Sequence, residues 1–479
     1  MRCRDTSLAV EPSAEPGYLY EVKSSGSPIR GSSLMLRRAV LLGLIALVAA
    51  CSPQASDSLA GSGGSSSIVG GQGNSGGFAS GGTAANGGSS PGSGGLLGSG
   101  GSAPIGGAAP EGGGSPIGGG SSAGGAASGG ATAGGGAGIG GQEAVNAKTM
   151  AAEMGIGTNI GNTLENTTEW EVGWGQPLIT EQFIQGLATR GIKSVRVPVA
   201  WDTYADAGVI DAAKTARVKE VVRWIVNAGM YAIVNIHWDG GWIFGEGTSD
   251  EFLLTSAVKT KFASYWQQIA SAFADVGHQL ILEGLNEEAR FYLNGDSNGQ
   301  PDYAALNELN QLFVTTVRAQ AGFSATRALL IAGLVTDITL TCVDQFVVPS
   351  DPAGTGKLFL SLHYYTPYTF CGLDTVESWG SPATTWGTTA EQAELDTLFD
   401  KAGAFSESKQ IPIILGEFGV TRGTAYPREP ASRVRWMTSV AEACLSRNMV
   451  PVLWDTGSEI SRTDGAFSAE FQEVMSNLD

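Results

Sequence analysis

A (β/α)8 TIM barrel is the fold the sequence predicts, over residues 143–479 of a 479-residue α/β chain. Three observations predict it. Eight short apolar runs recur through that stretch, and longer segments with apolar residues at three- and four-residue spacing lie between them. The runs are apolar almost without interruption, as strands covered on both faces are. Strands alternating with helices imply parallel pairing through right-handed crossovers, and eight units in about 330 residues fit a closed barrel. An open doubly wound sheet would carry a glycine-rich phosphate loop after its first strand, and none follows here.

In order, the strand runs are GIGTNI (155–160), SVRVPV (194–199), YAIVNI (231–236), LILEGL (280–285), ALLIAG (328–333), LFLSLH (358–363), PIILGE (412–417) and VPVLWD (450–455). Helical periodicity covers 180–191, 212–230, 257–277, 303–322, 391–405 and 430–448, with a last stretch, FSAEFQEVMSNL, after the eighth strand.

The N-terminal third has another character. Residues 35–51, MLRRAVLLGLIALVAAC, read as a signal peptide: two arginines, an apolar run, then small residues before a cysteine. The run is short for a permanent span of a bilayer. Its ending, Val48-Ala49-Ala50-Cys51, resembles a bacterial lipobox, which implies lipidation of Cys51. Ordinary cleavage near the same place is the alternative. The expectation is an exported protein, a cell-surface or outer-membrane lipoprotein or else a secreted one, meeting the membrane only through that anchor. Residues 1–34 show no apolar pattern, and they are expected to be a non-native upstream extension with Met35 as the start. Residues 52–142 are rich in Gly, Ser and Ala and nearly uncharged. Such a segment has too little apolar surface to offset ordering entropy, so a disordered linker is expected, spanning about 50 Å as a flexible coil.

The formal charge of −18 disfavours nucleic acid as a partner. Five cysteines without zinc-ribbon or Cys-x-x-Cys spacing, and three histidines in all, argue against a histidine-rich metal site.

A barrel places its chemistry at the C-terminal ends of its strands. There the sequence sets Asn159 and Asn162, Arg196, His237, Asn286 and Glu287, His363 and Tyr365, Glu417, and Trp454, on the first, second, third, fourth, sixth, seventh and eighth runs. Any one could be structural; together they point to one rim. Two carboxylates on one rim suggest glycoside hydrolysis, in which one carboxyl protonates the leaving oxygen while the other, ionised, attacks or activates water. That chemistry needs no metal or organic cofactor. Their separation, which distinguishes retention from inversion, stays open at this point.

The ordered motifs resemble glycoside hydrolase family 5, the family A cellulases of the clan A (β/α)8 hydrolases. They are GTNIGNTLE (157–165), GIKSVRVPVAW (191–201), NIHWDGGW (235–242), LEGLNEEAR (282–290), LHYYTPYTF (362–370), ILGEFG (414–419) and VLWDTG (452–457). The resemblance implies a retaining endo-acting hydrolase of β-1,4-linked glucans, with Glu287 as acid/base and Glu417 as nucleophile. It further implies Asn286 on the sugar 2-hydroxyl, Arg196 and Tyr365 supporting Glu417, His237 and His363 binding sugar or steering the acid/base, and Trp454 as a stacking floor. Three positions depart from the common pattern. Trp238 stands where many relatives have a second histidine, Thr158 where they have tryptophan, and Leu453 where an aromatic is frequent. These leave substrate subclass open among plain β-glucan, xyloglucan, mixed-linkage glucan and mannan.

Trp170, Trp174, Trp238, Trp242, Trp379 and Trp386 fall in loops above the strands, as sugar platforms or as loop packing; Trp224, Trp266 and Trp436 sit at helical spacing and read as core. Cys342 and Cys371 flank the sixth strand, where an exported context permits a disulfide; their pairing is expected, with two free thiols as the alternative. Cys444 lies on an apolar helix face. The expected partner is a polysaccharide, a β-glucan, and the expected state is a monomer. A rival of another class is an inactive surface glycan-binding lipoprotein. The retained glutamate pair with Asn286 argues against it.

Overall fold

The computed structural model describes residues 146–244, 254–288, 290–293 and 300–478. The upstream extension, the signal segment with Cys51 and the linker lie outside the described residues.

Eight parallel strands close into a barrel: β1 (Gly157–Asn159), β2 (Ser194–Val197), β3 (Tyr231–Asn235), β4 (Leu280–Glu283), β5 (Leu329–Ala332), β6 (Leu358–Tyr364), β7 (Ile413–Phe418) and β8 (Val450–Leu453). Each pairs with its sequence neighbours, and β1 closes the cylinder against β8. All eight fall inside or within a residue of the apolar runs. Apart from Tyr231 at the start of β3, every strand residue is buried, on the inner or the outer face.

The outer layer follows the helical periodicity. α1 (Ala147–Met154) precedes the barrel; α2 (Glu181–Thr189), α3 (Ala212–Asn227), α4 (Ser256–Ala272) and α5 (Tyr303–Arg318) follow β1 to β4. Side-chain oxygens of Thr180, Asp211, Thr255 and Asp302 cap these four by accepting first-turn N–H groups, which fixes where each begins. Between β5 and β6 lie only a short 3-10 helix (Leu334–Thr336) and the four-residue α6 (Ile338–Thr341), in keeping with the missing helical pattern there. α7 (Thr389–Lys409) starts with a capping box of Thr388 and Glu391, α8 (Pro430–Leu445) with proline in its first turn, and α9 (Ala469–Leu478) ends the domain.

The barrel is filled, not hollow. Ile233, Ile281, Leu330, Phe359, Ile414, Val450 and Val452 form one buried cluster with Ala147, Met150, Ala151 and Met154 of α1. α1 therefore plugs the inner core. A second, larger cluster packs strands against helices. Nothing in the plug's eight residues stands out in sequence, because a helix of two turns gives too short a period to read.

One expectation is corrected here. Cys342 and Cys371 are free buried thiols and not a disulfide. Cys342 follows α6 in the field of Lys401 and Asp337, whereas Cys371 lies in that of Arg428. Burial raises both thiol pKa values, that of Cys342 to about 12, which keeps them protonated and inert. Cys444 is buried and free as well.

Candidate active site

The upper layer of the barrel interior is polar, and Arg196 organises it. Arg196 is completely buried on β2. Its Nε donates to Glu283 Oε2 at 2.6 Å, Nη1 to Asn159 Oδ1 at 3.0 Å and to Glu417 Oε1 at 2.7 Å, and Nη2 to Asn286 Oδ1 at 2.7 Å. Burial opposes its charge, but Glu283 and Glu417 outweigh that cost and hold its pKa above the ordinary arginine value. Ser361 Oγ donates to the second oxygen of Glu283 at 2.7 Å. Asn159 Nδ2 donates to the Gly416 carbonyl at 2.8 Å, tying β1 to the residue before Glu417.

Glu417 receives a second donor, Tyr365 Oη, at 3.0 Å to Oε2. His363 pairs with Glu417 in the β6–β7 register, and its Nδ1 lies 2.6 Å from Glu287 Oε1 and 3.7 Å from Glu417 Oε2. One carboxylate oxygen of Glu287, one of Glu417 and a nitrogen of His363 all lie within 4.8 Å of one another. The imidazole fits because residue 416 is glycine. A Cβ there would come within 3.0 Å of His363 Nε2.

The two carboxyls differ in their donors. Burial raises the pKa of Glu287 to about 7; Arg196 opposes the rise and Glu283 adds to it. Burial leaves the Glu417 pKa raised as well, although His363 and Arg196 oppose the rise; it has two direct donors where Glu287 has the one imidazole contact. Burial lowers the pKa of His363 to about 4, so the ring is neutral near pH 7. His237 is also neutral, lowered mainly by burial and then by Arg196.

The remaining site residues line the same mouth. His237 is buried and stacks on Trp454, with ring centroids 5.7 Å apart and planes 5° from parallel; its Nε2 has no hydrogen-bond partner among the described residues. Asn286 has its oxygen fixed by Arg196, which leaves its amide N–H groups to donate. Asn162 does not join this network. It sits at a left-handed turn (φ 57°) beyond β1, and its N–H is accepted by Glu165. Trp238 is exposed on the loop after β3.

Among the described residues, Glu287, His363 and Glu417 are the group close enough to hold a metal ion.

A family model, Cellulase (glycosyl hydrolase family 5), matches residues 153–459. The chain belongs to glycoside hydrolase family 5. Endoglucanase A of Paenibacillus barcinonensis is 31% identical over 343 residues, covering 66% of this chain and 83% of that one. A xyloglucan-specific endo-β-1,4-glucanase of Bacteroides ovatus is 30% identical over 333 residues, 64% of each chain. The solved structure of a broad-specificity endoglucanase from an uncultured bovine rumen ciliate matches with a TM-score of 0.61 and 30% identity, over 70% of this chain and 97% of that one. The protein is thus a glycoside hydrolase.

Two members of this hydrolase's network escaped sequence reasoning, Glu283 and Ser361. A signal for Glu283 was present. An acid inside the run LILEGL and an arginine inside SVRVPV are opposite charges on buried strands, and each requires the other. Ser361 carries no such signal, since serine is tolerated in a strand without a partner. Asp239 was also missed. It accepts from the backbone N–H groups of Trp201, Asp202 and Thr203 and so pins the β3 loop to the β2 loop.

Proposed function

We propose that this hydrolase cleaves β-1,4-linked glucans internally and with retention, using Glu287 as acid/base and Glu417 as nucleophile. The observation that carries the reading is the close, buried and unequally hydrogen-bonded carboxyl pair, with reaching oxygens within 4.8 Å. Retaining enzymes hold their carboxyls about 5–5.5 Å apart, whereas inverting ones leave about 6.5–9.5 Å for a water. With burial holding its pKa at about 7, Glu287 keeps its proton below neutral pH and about half of it at pH 7. It gives that proton to the glycosidic oxygen as the bond to the anomeric carbon breaks. Glu417, ionised between Arg196 and Tyr365, attacks the same carbon and forms the glycosyl ester. Glu287, now a carboxylate, takes a proton from water, which displaces Glu417 and restores both groups. The amide of Asn286 donates to the sugar 2-hydroxyl, a contact that strengthens in the transition state. Trp454 offers its ring as the floor under the pyranose.

The relatives named for endoglucanase and for xyloglucan-specific activity support a glucan backbone. A panel of carboxymethylcellulose, barley β-glucan, xyloglucan, glucomannan and xylan, read by product analysis and by the anomeric configuration of fresh product, tests the proposal. Retained configuration and internal cuts in a β-1,4-glucan are expected. Inverted product, or activity confined to mannan or xylan, would overturn it. We also propose export with lipidation at Cys51. Radiolabelled fatty acid should enter the wild-type protein and not a Cys51→Ala variant.

A further inference from the structure

The geometry points to Trp238 as a sugar-stacking platform that favours chains of all-equatorial pyranoses, the gluco configuration, over manno-configured ones. This rests on the hydrolase reading above. All eleven tryptophans of the chain fall among the described residues, and Trp238, at 40% exposure, is the one that stands exposed. Exposing an indole forgoes apolar burial, and a lone exposed side chain would be expected to find a flexible resting place. The backbone that bears Trp238 is instead anchored. The next three residues, Asp239, Gly240 and Gly241, are all left-handed, with φ of 49°, 74° and 74°. The Asp239 carboxylate accepts from Trp201 N at 2.7 Å, Asp202 N at 2.6 Å, and Thr203 N and Oγ1 at 3.0 Å each. Gly241 N donates back to the Trp238 carbonyl at 2.8 Å.

Its neighbour Trp242 is the contrast. That ring lies edge-on to Tyr265 at 5.4 Å and beneath Lys261 Nζ at 4.7 Å, so it braces the loop. Trp238 stands one residue beyond His237, whose ring is parallel to Trp454 at the cleft floor. An exposed indole on an anchored loop can receive a sugar without the entropy cost of ordering that loop. In a β-glucosyl unit the substituents are equatorial and both faces present C–H groups, which suit an aromatic face. In a β-mannosyl unit the axial 2-hydroxyl interrupts one face. Branches at O6 leave from the ring edge, so the glucan backbone of xyloglucan remains compatible.

The test pairs binding with kinetics. Glu417→Gln chains with and without Trp238→Ala are run by affinity electrophoresis in gels containing barley β-glucan or galactomannan. Trp238→Ala and Trp238→Phe are assayed on β-glucan with the nucleophile intact. The expected result is weaker retardation of Trp238→Ala by β-glucan and a KM raised about ten-fold, the size of one stacking contact. kcat should change little. Trp238→Phe should retain most of the affinity, and retardation by mannan, weaker from the start, should hardly move. Equal losses in both gels, a loss in kcat instead of KM, or no loss overturns the platform and leaves the hydrolase reading intact. A wild-type chain that cleaves no β-glycan ends that reading and the platform with it.

Discussion

Tyr365→Phe removes one hydroxyl, and its consequence can be worked from one contact. Tyr365 Oη, half-buried, donates to Oε2 of the buried Glu417 at 3.0 Å. A hydrogen bond to a charged group contributes about 1.5–3 kcal/mol, and one pKa unit corresponds to about 1.4 kcal/mol. The hydroxyl favours only the ionised carboxylate, so its loss raises the Glu417 pKa by about 1–2 units. Turnover needs Glu417 ionised. The acidic limb of the kcat/KM profile should therefore move upward by that amount. The alkaline limb belongs to Glu287 and stays near its pKa of about 7. The bell narrows from the acidic side, and its peak falls as the limbs close. Initial rates on soluble β-glucan across the pH range, with circular dichroism to verify folding, measure this. An acidic limb that stays in place in a folded variant, or a shift in the alkaline limb alone, would refute the reasoning.

In the wild-type protein, kcat/KM should decline above about pH 7 as Glu287 loses the proton it must donate; a rate flat well into the alkaline range would count against that role. Glu417→Gln and Glu287→Gln should each lower turnover by orders of magnitude while folding is kept. Only Glu287→Gln should recover on aryl glycosides with excellent leaving groups, which need little protonation. Wild-type rates in either variant would remove the assignment. Met154, fully buried in the plug, should lose about 2–5 kcal/mol on replacement by alanine, read by denaturant unfolding; a change within error would mean α1 contributes little to the core. Thiol titration of the denatured, unreduced domain should find Cys342, Cys371 and Cys444 all reactive, and a count short by two would restore the disulfide.

Most of the barrel was legible because its signal repeats. A strand buried on both faces has no polar option, so each apolar run marks itself, and β1 to β8 all fall on such runs. The close pair of carboxyls, Glu287 and Glu417, was legible for the opposite reason, since charged residues ending apolar strands are costly without a purpose. What sequence could not give was partnership. Asn159 and Asn162 look alike on paper, three residues apart. One residue in a left-handed turn sends Asn162 away from the arginine that Asn159 reaches. The expected pairing of Cys342 with Cys371 failed similarly: nearness to one strand in sequence says nothing of which way two side chains face. Trp238 and Trp242 were equivalent candidates until Tyr265 and Lys261 were seen to claim the second.

A planar five-donor fork fixed to β2 sets the positions of groups borne on β1, β4 and β7 and of Asn286 just past β4. The reaction centre is thereby gauged by the scaffold beneath it and owes little to the loops overhead. Evolution, or an engineer, can exchange those loops to retune which polymer is gripped while the bond-breaking distances hold. An attempt to respace the carboxyls for inversion would instead have to begin at the arginine.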